Sequence, residues 1–142
     1  MSTVIDIADA VVASLNGGTF SQAFEAVRKY RPSFELEELP TLRVTVVPRS
    51  VAISAAARDS SYFDCAIDIG VQKKVNADDP VELDELMNLV EQLADHLRLQ
   101  RLEEAPLAAW LGIENEPVFA SEHLDQQRVF TSVLTVTYRV RR

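Results

Sequence analysis

The chain has 142 residues, 47% of them hydrophobic and 25% charged, which fits one domain burying roughly two-thirds of its unfolded surface. A net charge of −8 argues against a dedicated nucleic-acid binder, and a single cysteine excludes an internal disulfide and fits a reducing compartment. No apolar run is long enough to span a bilayer, and the N-terminus lacks the basic-then-apolar pattern of a signal peptide.

The charge is unevenly placed. Residues 1–75 hold 9 acids and 8 bases, whereas residues 76–142 hold 13 acids and 6 bases. Seven acids lie between Asp78 and Asp95 with no base among them.

Val4, Ile7, Ala8, Val11, Val12 and Leu15 recur at helical spacing. Ser2 or Thr3 suits the N-cap, and Asn16-Gly17-Gly18 ends the helix with a glycine suited to a left-handed cap. Thr19 to Arg31 is ambiguous. Phe20, Ala23, Phe24 and Val27 fit a helix, while Phe20, Phe24, Ala26 and Tyr30 fit one face of a strand. A clear strand follows, and Pro32 and Pro40 punctuate the gap, so the expectation is a strand. Leu42 to Val47 reads as a strand stopped by Pro48, Val51 to Ala57 as a continuing sheet edge, and Asp59-Ser60-Ser61 as a turn.

Tyr62 to Val75 has the longest period-two pattern. Phe63, Cys65, Ile67, Ile69, Val71 and Val75 face one way; Tyr62, Asp64, Ala66, Asp68, Gly70, Gln72 and Lys74 face the other. This is a strand of an antiparallel sheet with one apolar face, ended by Asn76-Ala77-Asp78. Asp79-Pro80-Val81-Glu82 then starts a helix: Asp79 caps, Pro80 suits the first position, and Glu82 can reach back. Leu83, Leu86, Val90, Leu93 and Leu97 form its stripe. Acids crowd its start and His96, Arg98 and Arg101 its end, complementing the helix dipole over residues 80–101.

Leu102 to Pro117 reads as a connection with a helical turn near Leu107–Leu111, and Val118 to Leu124 as a strand. After a tight connection at Asp125-Gln126-Gln127, Val129 to Val140 is a final strand. Its Phe130, Leu134, Val136, Tyr138 and Val140 face opposite to Val129, Thr131, Val133, Thr135, Thr137 and Arg139. The expected fold class is α+β: a single mostly antiparallel sheet flanked by two main helices on one face.

No catalytic or metal motif stands in the chain. Cys65, on the apolar face, reads as inert core and not as a nucleophile. His96 and His123 lack neighbours at metal-ligand spacing, and His96 reads as a surface group satisfying the helix dipole. Asp64 and Asp68 share a strand face with Cα atoms roughly 13 Å apart, too far for a glycosidase pair, so they mark a solvated or partner-facing sheet. Glu82, Glu85, Glu91 and Asp95 read either as the wet side of a helix or as a surface that repels DNA or meets a basic partner. Trp110, in a proline-flanked stretch, either plugs a core edge or anchors an interface.

Three stretches carry a resemblance: Leu42-Arg43-Val44-Thr45-Val46-Val47-Pro48, the segment from Ala57-Arg58 through Ile69-Gly70-Val71-Gln72-Lys73-Lys74-Val75, and the tail Phe130-Thr131-Ser132-Val133-Leu134-Thr135-Val136-Thr137-Tyr138-Arg139-Val140. With the Asp79–Arg101 helix between them, pattern and order resemble the tail-terminator (tail-completion) proteins of tailed bacteriophages. The resemblance implies a virion protein at the tail–neck junction, assembled in the host cytoplasm, with no catalytic residue or cofactor to carry over. It implies a homo-oligomeric ring, typically a hexamer, that caps the tail tube, ends its polymerisation and docks the neck connector. DNA would pass through the lumen without specific binding, and no membrane is involved. An acidic wall suits such a lumen because lysine and arginine would hold phosphate. The Glu82–Asp95 face and the Asp64/Asp68 face are the candidate linings, and the edges Val51–Ala57 and Val129–Val140 the candidate subunit contacts. The alternatives are a tail-tube or head-closure subunit, or a small ligand-binding or thioesterase-like α+β protein.

Overall fold

The computed structural model describes residues 2–30, 41–75, 79–116, 119, 120, 122, 124 and 128–142. The elements run α1 (Thr3–Asn16), β1 (Ala26–Arg28), β2 (Arg43–Ala57), β3 (Ser60–Lys74), α2 (Pro80–Leu97), β4 (Ala109–Asn115) and β5 (Val129–Arg141). The five strands form one sheet in the order β1-β2-β3-β5-β4. β1 joins β2 in parallel, and every other pairing is antiparallel. The fold is therefore α+β, as the alternation in β3 and β5 requires.

The core forms where the apolar faces meet. Ile7, Val11 and Leu15 of α1 and Leu86, Leu89, Leu93 and Leu97 of α2 join one cluster with Cys65, Ile67, Ile69 and Val71 of β3 and Leu134, Val136 and Tyr138 of β5. Each fully buried aliphatic side chain contributes about 1.5–3 kcal/mol of transfer free energy. Asp79 caps α2 by accepting from the Val81 and Glu82 amides at 3.1 and 3.3 Å. Glu82 does not complete the box; its carboxylate lies 3.4 Å from Lys73 Nζ of β3.

Several expectations are corrected. Ser2 occupies the N-cap of α1 without a side-chain cap bond, and Gly17 is right-handed at φ −85°, so the helix end does not use glycine's left-handed freedom. Asn16 instead clamps the next strand: its Nδ2 donates to the Ala26 carbonyl at 3.1 Å and its Oδ1 accepts from the Ala26 amide at 2.7 Å. Gly18 is needed for space, since a Cβ there would meet the Phe20 ring at 2.8 Å and His96 at 3.1 Å. Within Thr19 to Arg31 only Ala26–Arg28 is strand, and Arg31 lies outside the described residues.

Pro48 does not stop β2. The ladder continues past it through a bulge, with Pro48 opposite Ile67 and Ser50 opposite Ala66. The extra residue, Arg49, switches parity: Val44 and Val46 face the core before it, and Val51 and Ile53 lie on that side after it. A proline is tolerated on such an edge because its missing N–H costs no ladder bond.

α2 ends at Leu97 rather than Arg101, because Arg98 is extended and Leu99 is left-handed at φ 60°. The expected helical turn at Leu107–Leu111 gives way to β4, whose register shifts between Trp110 and Gly112 and so breaks the alternation. The strand expected over Val118 to Leu124 is absent among its described residues. Glu122 and Leu124 are helical, and the Leu124 amide donates to the Ala120 carbonyl at 3.2 Å. Val118, His123, Asn76-Ala77-Asp78 and Asp125-Gln126-Gln127 lie outside the described residues.

Candidate functional site

The even-numbered face of β3 carries an arginine–carboxylate network, placed there by the strand register. Asp64 stands opposite Arg139, and Asp68 opposite Thr135. Arg139 grips Asp64 with two bonds, Nε to Oδ1 at 2.8 Å and Nη2 to Oδ2 at 3.0 Å. Its guanidinium also lies 4.3 Å from the Tyr62 ring centroid. The Arg139 hydrogen bonds hold the Asp64 carboxyl below its usual range, against a partial desolvation that pushes it up. Asp68 accepts from the Thr135 hydroxyl at 2.7 Å and lies 3.5 Å from Arg49 Nη1. Arg141 extends the row, its Nε 3.2 Å from Ser60 Oγ. Two carboxylates thus face three guanidinium groups, so this patch is not net acidic.

The acids of α2 divide by helical phase. At about 100° per residue, Asp84, Asn88, Glu91 and Asp95 fall on one line, while Glu82 turns to roughly the opposite side. Glu82 is held by Lys73, and Asp95 lies 3.7 Å from Arg98 one turn on. Asp84, Glu85 and Glu91 are exposed. Asp84 and Glu91 rim a shallow groove of about 450 Å³ that also touches Met87, Asn88, Asn115 and Leu134.

His96 is not a free surface group. Its Nε2 lies 3.1 Å from both the hydroxyl and the carbonyl oxygen of Ser14, and its ring meets Phe20 edge-on at 5.2 Å. It ties α2 to the end of α1, above an open groove of about 570 Å³ rimmed by Gly17, Asp95, Arg101 and Glu103. Cys65 is fully buried, and burial pushes its thiol up, away from the reactive thiolate. Trp110 lies on β4, half-buried against the core opposite Tyr138. Its Nε1 and the Tyr138 hydroxyl are buried without hydrogen-bond partners among the described residues. Among the described residues no cluster of three His, Cys, Asp or Glu can hold a metal ion.

The remaining surface of note is backbone. β1 covers β2 only at Val44, Thr45 and Val46. From Val47 to Ala57 the outer edge of β2 has no strand neighbour among the described residues. Ile53 there is 62% exposed and Val51 40%. β4 forms the opposite margin, with Leu111 43% exposed at its bulge. β5, by contrast, is paired with β3 along its length and with β4 over Leu134–Arg139, and its Val133 and Thr131 carbonyls accept from the Glu116 and Ala120 amides, so most of Val129–Val140 is interior. Sequence reasoning placed Asp64 and Asp68 on one face but missed Thr135 and Arg139, which need the β3–β5 register, and Arg49, which needs the β2–β3 register with its bulge. No protein-family model matches the chain, and no curated protein matches it.

Proposed function

We propose that this chain is a structural ring subunit of the tail-terminator type, which caps a phage tail tube and presents a docking surface to the neck connector. The observation that carries this reading is the projecting end of the sheet. The β2–β3 hairpin runs on past the last core layer at Cys65 and Tyr138, and its Ser50–Ala57 stretch is uncharged and mostly exposed. Natural proteins usually blunt such an edge with charge, so an uncharged edge suits assembly. The titratable groups support the same reading: the cysteine is buried, the described histidine is bonded between helices, and the sheet carboxylates are gripped by arginines.

The paired state of Asp64 and Asp68 shifts the choice of lumen lining to α2. There Asp84, Glu85 and Glu91 present carboxylates to solvent and form no ion pair among the described residues, a surface that suits sliding DNA. Electron microscopy of the purified protein tests the function. Closed rings of one size that halt polymerisation of the tail-tube subunit are expected. Open tubes of this chain alone would make it a tube subunit, and a persistent monomer would end the ring reading.

A further inference from the structure

The β4 margin and the stretch of β2 beyond β1, both without a strand neighbour among the described residues, differ in a way that makes them partners. Within the sheet β2, β3, β5 and β4 alternate in direction, so β2 and β4 are antiparallel to each other. Repeating the subunit head to tail therefore brings β4 of one copy antiparallel against β2 of the next, the pairing already used inside the sheet. The lengths suit: β4 has 7 residues, and the open stretch of β2 extends for roughly 30 Å. The charges are complementary as well. The open stretch of β2 holds Arg49, which stays more than half exposed beside Asp68, with Arg58 just beyond its end and no acid, while β4 holds Glu114, with Glu116 just beyond its end, and no base.

We propose that a second copy of this chain docks by strand addition, its β4 edge (Ala109–Asn115) pairing with the Val47–Ala57 edge of β2. Each copy then offers one donor edge and one acceptor edge, a heterologous contact that closes into a ring when the rotation permits and otherwise runs on as a filament. Main-chain bonds supply affinity, and the opposed arginine and glutamate sets fix the order of the two edges and disfavour β2 against β2. Ile53 and Leu111, exposed in one copy, become covered at this seam. Closure into a ring rests on the function proposed above; the strand pairing does not.

The test uses two full-length variants, Ile53→Lys and Leu111→Lys, each placing a charge on one edge. Both positions are exposed, so folding should hold, checked by far-UV circular dichroism and melting. Mass photometry or sedimentation should show wild type assembled and each variant weakened by about ten-fold or more in dissociation constant, equivalent to about 1.4 kcal/mol. An equimolar mixture should form dimers and nothing larger, because each variant keeps the edge that the other lacks. A monomeric wild type, unaltered assembly of either folded variant, or a mixture with no dimer overturns the pairing. Edge-dependent filaments that leave tube growth unchecked uphold the pairing and defeat the tail-terminator reading.

Discussion

Replacing Tyr138 with phenylalanine should stabilise the protein. Tyr138 is fully buried, packs opposite Cys65 on one side and Trp110 on the other, and its hydroxyl has no hydrogen-bond partner among the described residues. Burial alone drives the phenol's ionisation far above its usual range, as expected of a polar atom in an apolar layer. A buried hydroxyl left unsatisfied costs about 1–3 kcal/mol. Removing the oxygen forfeits its few dispersion contacts, about 0.1–0.2 kcal/mol each. The net expectation for Tyr138→Phe is a gain of about 1 kcal/mol, or about 2–4 °C in Tm for a chain near this size. Urea unfolding at fixed protein concentration measures it, with concentration held because assembly shifts apparent stability. A loss of about 1 kcal/mol or more, the usual net value of a made hydrogen bond, would refute the reasoning: the hydroxyl would then have a partner, in the subunit or across an interface.

Asp79→Ala removes the side-chain acceptor for two first-turn amides of α2 and should cost about 1 kcal/mol in the same urea experiment. The Asp64–Arg139 bond makes a prediction in pH. The Asp64 carboxyl is held below its ordinary 3.8 in the folded chain, so its stabilisation is present above that value and fades as pH falls through the lower folded value. Wild type should therefore lose more of its urea midpoint than Asp64→Asn on going from neutral pH to below 3.8; parallel curves would show that the bond does not couple to folding.

Much of the fold was legible because periodicity survives in single elements. The stripe of α2 and the alternation of β3 and β5 each follow from one face meeting a core. Two of the misread segments share a cause. β2 and β4 both contain a register shift, between Pro48 and Ser50 and between Trp110 and Gly112. One inserted residue reverses which side chains face inward, so a continuous strand reads as two pieces or as a turn. His96 looked like a helix-end surface group because its partner, Ser14, is 82 residues away.

The sequence by itself determined the class of fold, the buried thiol and the acidic character of the α2 segment, since each depends on local pattern or composition. Only the tertiary structure decided which carboxylates are paired and, among the described residues, which strand edges have no neighbour. Asp64 and Asp68 are offset by Arg139 and Arg49 across neighbouring strands, β5 lies inside the sheet, β4 forms one margin, and β2 lacks a strand neighbour beyond the short β1 among the described residues. Ion pairing and edge exposure are set by strand order and register, which join residues far apart in the chain.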